Sequence, residues 1–305
     1  MSIKILNPGV QALIQDGGRF GMARCGVPVS GAFDRRSWQS ANEIVGNTTP
    51  GPFDSWPGPA AIEVLLGGLR LEATADVIVA VTGADVPVTL LDVDDDDKRD
   101  ISRHEPILLT AGSRLHLGNA KSGLRAYVGI AGGIDVDPTL ESRSTDTTSN
   151  LGPHPLAKGA VLKVGWIVGQ PKSSLDGRTG LPGSANATIV RFRPNPGVEA
   201  TSTGILSTGP IARSWLVSPN SSRAGVRLIP TDQQAGSTRT QAMLASAPAI
   251  PGAVQQLPDG ELVVIGPDGP TTGGYPVVAV FDRDELDIIA QARPGTMVQL
   301  APIDD

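Results

Sequence analysis

Short apolar runs, each closed by a Gly- or Pro-containing turn within 8–12 residues, recur from one end of this chain to the other. No helix-period stretch of any length competes with them except at two places. A chain patterned this way has little choice but to form many short strands, and strands so closely spaced close into sandwiches or barrels. The 37 glycines and 26 prolines supply the turns. With four Trp, two Tyr and five Phe among 305 residues, Val, Leu, Ile and Ala must fill the interior.

The strands expected in the first half are Ile3–Leu6 and Ala12–Gln15 around Asn7-Pro8-Gly9, Ile62–Leu66 and Leu69–Glu72 around Gly67-Gly68, then Val77–Val81, Val86–Leu91, Ile107–Leu109, Leu115–Leu117, Leu124–Ile130 and Val161–Val164. After the Gly/Ser/Pro-rich stretch 169–185, read as a linker, strands resume at Thr188–Phe192, Trp215–Val217, Val226–Ile229, Leu262–Ile265, Val277–Phe281 and Met297–Leu300. Two domains are therefore expected, 1–168 and 186–305. One helix is expected over Arg35–Val45, capped by Asp34 and stopped by Gly46, and a second over Arg283–Ala292. The acidic run 92–100, DVDDDDKRD, lacks the turn Gly and distal Glu of a calcium loop and is read as a solvated loop.

The charge of −6 and pI of about 5.1 leave no electrostatic footprint for nucleic acid. Cys25 is alone, so no internal disulfide framework is available and a reducing compartment is expected. Neither a signal-peptide core nor an apolar run of spanning length occurs, and a soluble, cytoplasmic protein is expected. The chain has no phosphate-cradling G-x-x-x-x-G-K-[ST] loop, no H-E-x-x-H or Cys/His metal pattern, and no G-x-S-x-G nucleophile elbow. No metal site is expected. None of the six lysines is flanked by Met as in a biotin carrier.

Three polar, Gly-rich segments are richer than ordinary loops. The first is Gln15-Asp16-Gly17-Gly18-Arg19-Phe20-Gly21, running on to Ser30, Asp34 and Asn42 at a loop–helix junction. A helix N-terminus there suits an anion, and simple capping by Asp34 accounts for the same residues. The second is Ala131-Gly132-Gly133-Ile134-Asp135 followed by Ser142-Arg143-Ser144-Thr145, where an Arg between hydroxyls could clamp a carboxylate or phosphate. The third is Pro267-Asp268-Gly269-Pro270-Thr271-Thr272-Gly273-Gly274-Tyr275-Pro276, whose hydroxyls and glycines would let a ligand approach the backbone.

Together with GVPVSGAFD at 26–34, TGAD at 82–85, LRAYVGIAGGIDV at 124–136, VSPNSSRAGVRL at 217–228 and PGAVQ at 251–255, these blocks resemble the family of 5-oxoprolinase C subunits, also called KipA or allophanate hydrolase subunit 2. The resemblance extends to the carboxyltransferase domain of urea carboxylase. This chain departs from the usual family pattern at Glu141 (Gly), Ser222 (Asp), Pro270 (Gln) and through 151–156. The resemblance implies a mainly β fold of two cyclophilin-like barrels with a few short helices. It also implies a partner, the KipI-like B subunit (allophanate hydrolase subunit 1). With a separate A subunit, that pair would carry out ATP-dependent opening of 5-oxoproline to glutamate. No cofactor is assigned to this chain itself. Substrate contacts are expected from Arg19, Ser30, Asp34, Asn42, Arg143, Ser144, Thr145, Arg223, Thr271, Thr272 and Tyr275, with no nucleophile or base assigned. Two alternatives remain at this point: a KipA-like regulator that antagonises a KipI-like kinase inhibitor, and a carboxyltransferase half-site taking biotin from another chain.

Overall fold

The computed structural model describes residues 1–51, 54–92, 98–167, 169–172, 188–195, 213–231 and 245–303. The chain divides into two compact units, Met1–Phe20 with Ser30–Leu181, and Gly21–Val29 with Pro182–Asp305. Residues 173–185 of the expected linker lie outside the described residues.

In the first unit eleven strands follow the turn punctuation: β1 (Ser2–Pro8), β2 (Gln11–Gln15), β3 (Ala61–Leu65), β4 (Leu69–Ala73), β5 (Val77–Asp85), β6 (Val88–Leu91), β7 (Lys98–Ile101), β8 (Ile107–Leu109), β9 (Arg114–Leu117), β10 (Ser122–Ile130) and β11 (Val161–Lys163). They form a six-stranded sheet, β11-β1-β4-β9-β6-β7, and a five-stranded sheet, β2-β3-β10-β5-β8. The turn signals conceal this arrangement. The strands on either side of Gly9 do not pair with each other, nor do those flanking Gly67-Gly68. Instead β1 pairs with β4 and β2 with β3, so each turn carries the chain from one sheet to the other. Leu66, Gly67 and Gly68 make the second corner with φ of 59°, 83° and 83°, a left-handed run that glycine adopts without a Cβ penalty.

Between the sheets lies one apolar core. Ile3, Ile5, Leu69, Leu71, Leu115 and Leu117 meet Ile14, Ile62, Val64, Val79, Val81, Ala126 and Val128, all buried. Because side chains alternate across a strand, the residues between these point to the outer face of the five-stranded sheet. There Ala61 and Tyr127 pack with Ala32, Trp38 and Ala41. Trp38 and Ala41 belong to α1 (Arg35–Ile44), which lies over that face as its apolar spacing requires. Its Asp34 cap accepts from the Ser37 amide, and Gly46 leaves it at φ 87°.

The acidic run is corrected in part. Lys98–Asp100 are not loop but strand, paired through β7 with β6 at Leu90↔Arg99 and Leu91↔Lys98, on an exposed edge. Charged residues on an edge strand discourage pairing with another chain, which is why this segment carries no apolar signal. Residues 93–97 are outside the described residues.

The second unit contains β12 (Thr188–Pro194), β13 (Arg213–Val217), β14 (Gly225–Pro230), β15 (Ala247–Pro248), β16 (Ala253–Gln256), β17 (Leu262–Ile265), β18 (Thr272–Gly273), β19 (Val277–Val280) and β20 (Met297–Pro302), with α2 (Arg283–Gln291) between the last two. Seven of these strands close a barrel in the order β12-β19-β16-β17-β14-β13-β20. Among the described residues of this barrel only β12 and β20 pair in parallel; α2 carries the chain round from β19 to β20. Buried Val190, Phe192, Trp215, Val217, Val226, Leu228, Val254, Leu262, Val264 and Val298 supply its apolar filling. The mainly β expectation therefore holds. Among the described residues, no helix is long and apolar enough to cross a membrane.

The contact of α1 with the sheet is fixed at Gly129, where an added Cβ would fall on the Ala41 carbonyl and lie 3.0 Å from the Ala41 Cβ. Gly129→Ala should therefore lift the helix and cost about 1–3 kcal/mol, read as a lower urea midpoint with an unchanged slope.

Candidate functional site

The first and second Gly-rich segments meet on a single carboxylate. Asp16 follows β2 and is fully buried. Its Oδ1 accepts from the Gly18 amide at 2.8 Å, the Ser142 hydroxyl at 2.8 Å and the Ser144 hydroxyl, and its Oδ2 accepts from the Arg143 amide at 2.6 Å. The Asp16 amide donates back to Ser144 Oγ at 3.0 Å, and the Asp16 carbonyl accepts from the Ala32 amide at 2.8 Å. The first contact is an Asx-type turn, the reason an Asp before Gly-Gly bends the chain here. The bonds to Ser142, Arg143 and Ser144 cross more than a hundred residues of sequence. Arg19, also buried, adds Nε to the Thr139 carbonyl at 3.1 Å and Nη2 to the Ser144 carbonyl. Gly31 closes the same knot: at φ 83°, an added Cβ would stand 2.8 Å from the Gly17 and Gly18 backbone.

This knot determines what the second segment can offer. Ser142, Ser144 and Thr145 are buried, whereas Arg143 keeps 32% of its side chain exposed. Its Nε donates to the Val136 carbonyl at 2.9 Å, and Nη2 stands 4.0 Å from Asp135. The loop thus holds Arg143 out on a backbone anchored to Asp16. Just before it, Leu140 and Glu141 sit in left-handed conformations, φ 51° and 66°, costly for residues with a Cβ.

Asp34 and Asn42 have structural partners. Asp34 caps α1 through Ser37 (Oδ1 to the amide, 2.9 Å; Oδ2 to the hydroxyl, 2.6 Å), and its own amide donates to Tyr127 Oη at 2.9 Å. Tyr127 donates to Glu63 Oε2 at 2.8 Å, which also accepts from the Phe33 amide at 3.1 Å. Arg125 completes the group, 3.6 Å from Glu63 and stacked over Phe33 at 4.6 Å. Burial above all, then the Glu63 and Asp34 carboxylates, pushes the Tyr127 hydroxyl well above its usual range. Asn42 donates to the Trp38 carbonyl and accepts from Asn47, which in turn binds the Ile130 carbonyl and the Gly132 amide, each at 2.8 Å. The helix end is thereby tied to the Ala131-Gly132-Gly133 turn. Ser30 is buried at φ 53° and its Oγ has no hydrogen-bond partner.

In the second unit Arg223 is buried in a two-pronged pair with Asp268, Nε–Oδ2 2.9 Å and Nη2–Oδ1 3.0 Å, and the Asp268 amide donates to the Arg223 carbonyl. The pair locks the loop after β13 to the start of the third Gly-rich segment. Further along, Thr272 and Gly273 pair with Pro248 and Ala247, and the Gln255 side chain packs against Gly273. Thr272 is exposed, Thr271 half-buried, and Tyr275 36% exposed. Asp16, Glu63, Tyr127 and Asp268, which organise these loops, are not among the residues expected from sequence. Asp16 and Asp268 each precede a Gly, a turn signal that could have singled them out; Glu63 and Tyr127 sit inside strands and leave no such mark.

Known proteins share this pattern of sequence and fold. The family described as "Carboxyltransferase domain, subdomain A and B" matches residues 25–302. The chain belongs to this family. It is 33% identical to the 5-oxoprolinase C subunit of Escherichia coli (strain K12), over 96% of this chain and 88% of that protein. It is also 33% identical to the urea amidolyase of Saccharomyces cerevisiae, covering 99% of this chain but spanning only 17% of that longer protein. The crystal structure of the Kluyveromyces lactis urea carboxylase superposes with a TM-score of 0.81 at 29% identity, over 99% of this chain and 27% of that one.

The buried polar groups of this family member can be tested through stability. Tyr127 is neutral in the fold with its titration displaced upward, so its contribution is complete below the unfolded value of about 10 and drains away as pH rises beyond it. Tyr127→Phe, which strands the Asp34 amide, should cost about 1–3 kcal/mol at neutral pH and flatten the alkaline limb of a stability–pH curve. Glu141→Gly removes a left-handed Cβ and should leave thermal stability unchanged or raise it, by at most about 1 kcal/mol after glycine's entropy.

Proposed function

We propose that this chain is one component of a heteromeric hydrolase that opens a small carboxylated amide, 5-oxoproline, in an ATP-dependent complex with a KipI-like B subunit partner and an A subunit. Support comes from the likeness to a 5-oxoprolinase C subunit, which runs along nearly the whole length of both chains. The observation that carries the reading is Arg143, one-third exposed on a loop whose Ser142 and Ser144 hydroxyls and Arg143 amide are all engaged with Asp16. A guanidinium fixed in this way presents a planar fork to a carboxylate at little entropic cost. Tyr275 and Thr272, exposed in the second unit, are the further groups assigned to substrate. Ring opening needs water added at the lactam carbonyl and a proton delivered to the departing nitrogen. Arg143 orients the carboxylate and stabilises negative charge; the attacking and proton-transferring groups are assigned to the assembled complex.

The likeness to a urea carboxylase favours a second reading, a carboxyl-transfer half-site served by a biotin-bearing chain. Glutamate release from 5-oxoproline and ATP, by this chain co-purified with its B subunit partner and supplemented with the A subunit, separates the two. The first reading predicts ATP-dependent glutamate without any biotinylated protein, and a loss of about 10–100-fold in kcat/KM for Arg143→Ala, the value of a charged hydrogen bond. No glutamate from an intact complex, or activity only with a biotinylated partner, contradicts it.

A further inference from the structure

Beside the knot made by Asp16, three buried oxygens accept nothing. Gln15 Oε1, Thr145 Oγ1 and Asp146 Oδ2 are sealed from solvent without a hydrogen-bond partner. They belong to one locality. The Thr145 amide donates to the Ile14 carbonyl at 2.9 Å, and Gln15 Nε2 donates to the Thr145 carbonyl at 2.9 Å. That second bond also fixes the orientation of the amide, since a flipped Gln15 would set oxygen against oxygen. Asp146 follows directly. Its Oδ1 accepts from the Thr148 and Ser149 amides at 2.9 and 3.0 Å, while its own amide donates to the Leu151 carbonyl, so the carboxylate is held in place by backbone.

An isolated buried carboxylate is expensive unless a counter-charge or donors meet it. In this pair of loops the charged side chains buried to within 1% are the anions Asp16 and Asp146 and the cation Arg19. That balance leaves one negative charge in excess. Asp16 is satisfied by four donors and the Arg19 fork is directed at the Thr139 and Ser144 carbonyls. The excess charge therefore resides on Asp146. The unmatched atoms are all oxygens, one carboxylate, one amide and one hydroxyl, with no nitrogen or sulfur. Among the described residues no three His, Cys, Asp or Glu side chains gather, which argues against a divalent or transition metal.

We propose that Gln15 Oε1, Thr145 Oγ1 and Asp146 Oδ2 form a binding site for one monovalent cation of the potassium or ammonium type, which stabilises the loop carrying Arg143. The inference is independent of which reaction the complex performs. Thr145, expected to contact substrate, acts here as a ligand to the ion.

Thermal unfolding of the whole chain tests it, in chlorides of potassium, ammonium, sodium, lithium and tetramethylammonium at one ionic strength. The expected result is a saturable rise in Tm of roughly 3–6 °C in potassium or ammonium over tetramethylammonium. Whichever of the two acts at the lower concentration is the preferred ion. The rise should vanish in Asp146→Asn and shrink in Thr145→Val. Should Asp146→Asn fail to fold, Thr145→Val and the anomalous signal of thallium(I) in crystals of the wild-type chain decide the matter. Equal Tm values in potassium, ammonium and tetramethylammonium would mean that the oxygens are served by water and would overturn the proposal. So would an ion dependence undiminished in both variants, or thallium bound elsewhere.

Discussion

One buried carboxylate organises the candidate site of the first unit. Asp16 stands where β2 ends and joins segments 126 to 128 residues apart in sequence through Ser142, Arg143 and Ser144. Hydrogen bonds to an ionised acceptor are about twice as strong as neutral ones, and four of them converge here out of water. The arrangement is asymmetric in its consequences. Intact, it satisfies every donor it touches; without the carboxylate, two amides and two hydroxyls would be left wanting in a buried place, each costing about 1–3 kcal/mol. The Asp-Gly-Gly and Ser-Arg-Ser-Thr segments are therefore two halves of one structure, and Arg143 is positioned by what surrounds it more than by its own contacts.

The outer face of the five-stranded sheet makes this possible. Its inner face is wholly apolar, but between the core residues Glu63, Tyr127 and Arg125 point the other way, beneath α1 and the Phe33–Asp34 entry. Polar groups placed there tie the helix N-terminus and the loop before it to the sheet, and Asn42 and Asn47 tie the helix end to Gly132. The second unit repeats the tactic with different residues: Arg223 and Asp268 are buried against each other and join two loops of the barrel. Such pairs contribute little net stability but make alternatives costly, because breaking them strands a charge.

Where the sequence speaks through local chemistry, the structure agrees with it. Asp34 before an apolar-periodic run and Gly46 after it bound α1, and strand after strand falls between its Gly and Pro turns. Pairing was not legible in the same way. A turn at Gly67-Gly68 looks alike whether the chain doubles back in one sheet or crosses to another, and only the shared core makes the second outcome the stable one. Lys98–Ile101 gave no strand signal because an exposed edge selects for charge, not for apolar alternation. At the sites, arginines and hydroxyls drew attention as ligand-binding types. Arg19, Ser144 and Arg223 are instead engaged internally, by the Thr139 and Ser144 carbonyls, by Asp16 and by Asp268 respectively. Their partners come from distant sequence, and no local pattern announces a long-range pair.

The most direct test of this account is hydrogen–deuterium exchange on the whole chain, wild type against Asp16→Asn. The amide nitrogen of asparagine cannot accept from the donors that Asp16 gathers, whereas the side chain's size and shape are nearly unchanged. The account predicts a selective loss of protection at residues 15–20 and 139–146, with the inner-face strands β5 and β10 and the second unit retaining theirs. Unchanged protection at 139–146 would contradict the claim that this carboxylate holds the site together.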